Sequence, residues 1–251
     1  MTLTPLPALD THAHIAPDVT RPQIAALGQA LVFAMTRSLT EAARVRDLSN
    51  DTLIWGIGVH PGLATAREEW DPDRFKTMLP SFALVGEVGL DRRGGDWARQ
   101  RVIFNDILTI TKAEPVLISI HSTGAASEVV THLHDSGTRG AILHWFTGEE
   151  TDVKRALEVE SYFSVNAAMT LEQVTQFPRD RVLCETDFPA RKVRARKPAD
   201  TGRVESMLSE AWGAPVDEVR AQIWWNLRTL SEQTGAIERL PETVADRLLY
   251  L

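Results

Sequence analysis

The segment Asp10-Thr11-His12-Ala13-His14 carries two imidazoles two residues apart, directly after the stretch Leu6-Pro7-Ala8-Leu9. In a helix that spacing turns the rings about 200° away from each other, whereas a strand of period two puts both on one face. Two imidazoles leaving one strand end together begin a metal site, which then needs carboxylates and further imidazoles from elsewhere. The remaining chain supplies them. His60 stands in Gly58-Val59-His60-Pro61, Glu87 in Gly86-Glu87-Val88-Gly89-Leu90-Asp91, and His121 before Ser122. His144 opens His144-Trp145-Phe146-Thr147-Gly148, and Asp187 sits in Glu185-Thr186-Asp187-Phe188-Pro189. Each falls at the end of a short apolar run. A lone histidine in such a place is more often structural than a ligand. Five of the seven histidines, together with two carboxylates, are hard to assign to structure.

Residue type narrows the chemistry. Imidazole and carboxylate without thiolate suit Zn²⁺, Mn²⁺ or Fe²⁺, and with enough oxygen ligands Mg²⁺. His12, His14, His121 and His144 with two acids exceed what one catalytic ion with an open position requires. Two ions bridged by one carboxylate, about 3.5–4 Å apart, use the set better, acidifying a water and clamping the oxygens of a phosphoryl displacement. Asp187, arriving last in the chain, is placed to accept the proton of that water.

Such residues must be carried to one place by the elements before them. Strands are expected at 6–9, 30–35, 52–58, 82–88, 115–120, 140–143, 161–165 and 181–185, several of them nearly continuous in apolar residues, as strands buried on both faces are. Helical patterns lie between them at 39–48, 96–112, 125–134 and 149–158. After the eighth strand, 189–202 reads as a loop rich in Pro, Arg and Lys. Helices follow at 203–212 and 216–231, broken at Gly213-Ala214-Pro215, with a short one at 240–250. Eight strands with crossovers in 251 residues predict an α/β fold of the TIM (β/α)₈ barrel type, one domain over 1–251. A doubly wound open sheet is the alternative, and the strand count favours the barrel. In a barrel, chemistry gathers at the C-terminal ends of the strands.

Composition sets the outer bounds. At 43% hydrophobic and 24% charged the chain has ample material for a core. The net charge of −7 argues against coating nucleic acid with the whole surface but leaves room for a local basic patch. The single cysteine, Cys184, excludes an internal disulfide and reads as a small core residue. No apolar run approaches the roughly 20 residues of a membrane span, so no membrane partner is expected. The N-terminal stretch shows no basic region followed by an apolar run, and a cytoplasmic location is the expectation.

The ordered series Asp10 to His14, Ile57 to Pro61, Gly86 to Asp91, His121-Ser122, His144 to Gly148 and Glu185 to Pro189 resembles the TatD family of metal-dependent deoxyribonucleases, which are amidohydrolase-like barrels. Gln100 and Asn226 match the same pattern, and the resemblance runs from about residue 8 to about 230. It implies a DNase acting as a 3′→5′ exonuclease or at damaged ends, with DNA, single-stranded or at 3′ ends, as the partner. It implies His12, His14, Glu87, His121, His144 and Asp187 as ligands of two divalent ions (Mg²⁺, Mn²⁺ or Zn²⁺). Glu87 would be the bridge, Glu87 and Asp187 the catalytic carboxylates, and His60 a contact to a phosphate or a further ion. The chain departs from the family at Thr123, where arginine is usual, at Phe163 to Ala168, which lacks the usual glycines, and in the loop Ala190 to Pro198. A divergent branch, such as TatD-like subunits of anti-phage operons, is compatible with these departures.

In that loop Arg191, Lys192, Arg194, Arg196 and Lys197 follow Asp187 on the expected active-site side, and Arg92 and Arg93 follow Asp91. A solvated surface loop is the plain reading; a phosphate-binding patch is the functional one, with Arg92, Arg191 and Arg194 as its substrate contacts. Trp145 is a packing residue or a base-stacking platform. Trp224 and Trp225 read as core or interface, and Asn226 as a tie between the terminal helix and a barrel loop. His132 and His134 fit the C-terminal end of a helix away from the site. Glu185, two before Asp187, is a candidate support for the site, and Asp10 a group that orients a histidine or a neighbouring loop. Two other functions stand beside the nuclease: a hydrolase of small amides, esters or lactones, and a subunit of a larger defence or repair assembly.

Overall fold

The computed structural model describes residues 5–48 and 50–251. Eight strands alternate with helices from end to end. They are β1 (Leu9–Ala13), β2 (Leu31–Met35), β3 (Leu53–Ile57), β4 (Leu84–Gly89), β5 (Leu117–His121), β6 (Ile142–His144), β7 (Tyr162–Val165) and β8 (Val182–Cys184). The crossovers carry α1 (Arg21–Ala25), α2 (Leu39–Val45), α3 (Ala64–Glu68), α4 (Pro72–Met78), α5 (Trp97–Thr111), α6 (Ala126–Ser136), α7 (Glu150–Glu158) and α8 (Leu171–Thr175). Three more helices follow β8: α9 (Gly202–Trp212), α10 (Val216–Gln233) and α11 (Glu242–Leu249). Neighbouring strands pair in parallel in chain order from β1 to β8, so the sheet curls into the expected barrel.

The strands form because their apolar runs have nowhere wet to face. Nearly every strand residue is buried, Leu31, Phe33, Leu84 and Phe163 among them, because the sheet closes on itself and its outer face lies under helices. Helix starts are marked by short polar side chains. Ser38 Oγ accepts from Glu41 N at 3.2 Å ahead of α2, and the Asp96 carboxylate accepts from Arg99 N at 3.2 Å ahead of α5. The crossover helices α1, α3, α4 and α8 are too short for their periodicity to stand out in the sequence.

One boundary shifts with consequences for the site. β1 runs through Asp10 and His12 instead of ending at Leu9, so only His14 of the motif lies beyond the strand. The other strands sit within two or three residues of their expected ends. Residues 1–4 of the N-terminal stretch read for a leader lie outside the described residues.

β1 and β8 close the barrel through a mixed seam. Thr11 Oγ1 donates to Cys184 O at 2.9 Å, Asp187 N to His12 O at 2.8 Å, and His14 N to Phe188 O at 2.7 Å. The terminal helices brace the other end. The buried Asn226 Nδ2 donates to Arg179 O and Val182 O, both at 2.7 Å, and Trp224 Nε1 donates to Pro7 O at 2.9 Å. Cys184 is buried in the core. Among the described residues, no helix is long and apolar enough to cross a membrane.

Gly58, just past β3, is required by close packing. A Cβ there would collide with the carbonyl oxygens of Thr36 and Gly86 and with the backbone nitrogen of Glu87, none of which can swing aside as a side-chain tip can. Gly58→Ala is expected to cost about 2–3 kcal/mol of stability, the scale of core overpacking, as measured by urea denaturation.

Candidate metal centre

The C-terminal ends of the strands surround one buried carboxylate. Glu87, in β4, points its two oxygens at two different groups of imidazoles. Oε1 lies 2.5 Å from His121 Nδ1 and 3.1 Å from His144 Nε2. Oε2 lies 3.3 Å from His14 Nε2, 3.3 Å from His60 Nε2 and 3.8 Å from His12 Nε2. Asp187 adds a second carboxylate, with Oδ1 3.5 Å from His14 Nε2. The strands that carry Glu87 and His12 share a feature: the pairing register slips between Asp10 and Ala13 in β1 and between Val85 and Val88 in β4. Such irregularities re-aim side chains within a ladder. Asp187 and Trp145, both just past strand ends, adopt left-handed φ values of 45° and 42°, a conformation uncommon outside glycine and often found at functional sites.

The rings are held by partners behind them. Ser119 Oγ lies 2.8 Å from His12 Nδ1, leaving Nε2 toward Glu87. Glu185 Oε1 lies 3.4 Å from His144 Nδ1, and Glu185 is itself fixed by Ser164 Oγ and by Asn166 Nδ2 at 2.9 Å. A carboxylate behind a histidine in this way fixes the tautomer and raises the basicity of the facing nitrogen. His60 differs. Its Nδ1 accepts from Gly62 N at 2.9 Å, so the neutral ring carries its proton on Nε2, the atom that faces Glu87 and the cleft. Asp10 turns away from the centre. Its carboxylate accepts from Thr186 N at 2.8 Å, Ala199 N at 2.8 Å and Thr186 Oγ1 at 2.6 Å, tying the loop after β8 to β1.

Charge balance follows from burial and proximity. Burial opposes ionisation of Glu87, yet the imidazoles around it, His60 and His121 foremost, hold its pKa well below the carboxylate range. Burial likewise opposes a charged Asp187, but a hydrogen bond from His14 and the nearby His144 hold it low. His144 is held well above the usual imidazole value, burial being outweighed by Glu185 and Glu87. His14 and His121 are raised against the same penalty, by Asp187 and Glu87 and by Glu87 and Asp91 respectively. Burial lowers His60 to about 4, and burial plus the stacked ring of His144, 3.8 Å away, lowers His12. Asp10, buried without a cation, rises to about 6.

These residues suit divalent ions. Glu87 Oε2 and His12 Nε2 are buried with no hydrogen-bond partner, an expensive condition that a cation would relieve. Three triads bring one donor atom from each residue within 4.8 Å of the others: His12, His14 and Asp187; His12, Glu87 and His144; His60, Glu87 and His121. The six expected ligands and His60 therefore stand together.

Above them opens a cleft of about 680 Å³, lined by Arg93 from the loop after β4, by Arg191 and Lys192 from the loop after β8, and by Trp145. Two of the arginines expected to contact substrate lie elsewhere. Arg92 is stacked 4.0 Å over Trp97 and paired to Glu128 at 3.3 Å, and Arg194 is exposed outside the cleft. Of the remaining loop basics, Arg196 pairs with Asp200 at 2.9 Å and Lys197 donates to Ala26 O at 3.2 Å. The loop folds back on itself, so only its first turn faces the cleft. His132 and His134 bond neighbouring helices and face away from the site, at Asn105 Oδ1 (2.7 Å) and Arg155 O (2.8 Å). Trp225 is exposed on α10.

Asp91 is the site residue that sequence reasoning passed over. Its Oδ2 lies 3.2 Å from His121 Nε2, and its main chain is clamped by Gln100, which accepts from Asp91 N at 2.8 Å and donates to Asp91 O at 3.0 Å. Its place four residues after Glu87 in the same motif was the available signal.

A barrel with histidines and carboxylates meeting at its strand ends defines a metal-dependent hydrolase class, and comparison places the chain within it. Residues 9–232 match the profile of the family described as TatD related DNase. The chain belongs to that family of metal-dependent hydrolases, enzymes of ester bonds. It is 27% identical to the metal-dependent hydrolase YabD of Bacillus subtilis over 72% of this chain and 79% of that one. It is also 27% identical to the 3′-5′ ssDNA/RNA exonuclease TatD of Erwinia amylovora, over 69% and 76%. The fold is shared with the TatD homologue YJJV of Escherichia coli K12, with a TM-score of 0.77, 22% identity and coverage of 89% and 97%.

The raised histidines set a pH dependence for metal uptake. A histidine whose pKa lies above 6.5 keeps its proton beyond that pH and must release it to bind an ion. Affinity for Zn²⁺ or Mn²⁺ should therefore climb with pH and continue to climb above pH 6.5, with protons released on binding. Calorimetric titration in buffers of different ionisation enthalpy measures both; binding without proton release would contradict it.

Proposed function

We propose that the protein is a nuclease that hydrolyses phosphodiester bonds in DNA, removing nucleotides from the 3′ ends of single strands. The two-sided disposition of Glu87, one oxygen toward His121 and His144 and the other toward His14 and His12, carries this reading. It suits a carboxylate bridging two divalent ions, Mg²⁺, Mn²⁺ or Zn²⁺. His12, His14 and Asp187 would hold one, His121 and His144 the other. The exonuclease names of relatives such as the Erwinia amylovora protein support the choice of substrate and direction. So do the basic side chains of Arg93, Arg191 and Lys192 lining the cleft, on a chain of net charge −7.

When bound, the ions supply Lewis-acid stabilisation of phosphate oxygens and acidify water. The chain does the rest. Asp187, kept ionised beside His14, accepts the proton of the attacking water. His60, with its proton on Nε2, donates to a phosphate oxygen. Glu185 and Ser119 keep His144 and His12 turned to the centre. Arg93, Arg191 and Lys192 take phosphates further along the strand.

Incubation of wild type and Glu87→Ala with end-labelled single-stranded DNA and Mg²⁺ or Mn²⁺ tests the reading. Wild type should shorten the DNA from its 3′ end, and the variant should be slower by about 10³-fold. Intact DNA alongside hydrolysis of a lactone or amide would overturn it. Neutralising Arg93, Arg191 and Lys192 together should weaken binding and flatten the plot of log affinity against log salt by about 2, at roughly 0.7 per phosphate contact on a single strand. An unchanged slope would remove these three from the substrate path.

A further inference from the structure

A second hollow shares a wall with the metal cleft. α1 has no buried residue, alone among the α-helices of the described residues. The segment leading through it is nonetheless apolar. Ile15, Val19, Ile24 and Leu27 line a groove of about 600 Å³ together with Phe188 from the loop after β8. His14 belongs to this groove and to the metal cleft alike.

We propose that this groove seats the base of a nucleotide adjacent to the scissile phosphate, a reading that rests on the phosphodiesterase function above. A nucleobase is a flat apolar body with a hydrogen-bonding edge, joined to its phosphate through a single sugar. A groove whose wall is a metal-site histidine lies within that reach. The walls give aliphatic surface and one aromatic ring, which hold any base by its face. The rim gives the edge its partners: the Asp18 carboxylate accepts, and the Lys197 ammonium, with one N–H committed to Ala26 O at 3.2 Å, has two left to donate. Charge separates the two hollows. Arg93, Arg191 and Lys192 line the cleft together with the carboxylates Glu87, Asp91 and Asp187, a set suited to cations and the phosphates they draw in, whereas the groove holds one acid and one base among apolar side chains and accepts a neutral base.

The test uses two single-stranded oligonucleotides of equal length, one of thymidine units and one of abasic tetrahydrofuran units, with Mn²⁺. Wild type should cleave the thymidine strand with a kcat/KM about ten-fold higher, the scale of one stacked base. Ile24→Trp, filling the groove, should bring that ratio close to one. Leu27→Trp fills the same groove and serves as the second variant, each being checked first by thermal unfolding. Equal rates for the two strands with wild type, or a ratio that survives in both variants, would remove the base site and leave the nuclease reading standing. Cleavage of neither strand would remove that reading and the base site with it.

Discussion

The site depends on keeping one carboxylate ionised in a buried place. Glu87 is 1% exposed, and an isolated carboxylate so far from water would take up a proton rather than bear the desolvation cost. Five imidazoles within 4 Å prevent that, and they stay neutral or charged according to what lies behind them. Where a second carboxylate stands behind or beside the ring, as at His144, His121 and His14, the imidazole pKa is raised. At His60 and His12 burial dominates and lowers it. The buried carboxylates thus favour positive charge on three of the surrounding rings, the compensation that bound cations would supply instead.

Holding this arrangement needs the barrel, because the residues come from strands far apart in the chain. Each parallel strand delivers its C-terminal end to the same rim. Regular pairing alone would not aim His12 and Glu87 inward at the height required, and the register slips in β1 and β4 fall on those two residues. The seam matters as much. Asp10 spends its buried carboxylate on the Thr186 and Ala199 backbone, and His12 O and Phe188 O take part in bonds across the same gap, so that Asp187 is fixed relative to His14.

The barrel and the residues that it gathers at one rim were legible in the sequence because both rest on strong local signals. Apolar runs of strand length recur at crossover spacing, and six of the eight carry or are followed by a side chain of metal-binding type. What escaped depended on tertiary geometry. The first strand was placed too early because Asp10, Thr11 and His12 are polar, and polar residues inside a strand look like its end; here they are buried and paired across the seam. Arg92 and Arg194 share a charge and a neighbourhood with Arg93 and Arg191, and no periodicity separates them. Trp97 and Glu128, brought alongside by α5 and α6, capture Arg92. Asp91 was overlooked because a carboxylate in a loop is ordinary until the fold sets it against His121.

The surroundings of the centre divide its tasks by polarity. At the bottom, donors are dry and held by partners that cannot relax, which suits ion binding but leaves little freedom for substrate choice. Higher up, the cleft carries the exposed side chains of Arg93, Arg191 and Lys192, whose attraction is long-ranged, screened by salt and indifferent to sequence. Neither layer discriminates finely between substrates of similar charge. Under the proposed function, discrimination falls to surfaces of intermediate character beside the centre, apolar enough to reward a fitting group and near enough for that reward to be felt there. Around this barrel rim such surfaces arise where crossovers are short and thinly packed, as at α1, since a helix fully buried against the strands would leave no hollow. The same short, thinly packed α1 that leaves no periodicity in the sequence thus leaves an apolar groove open next to His14.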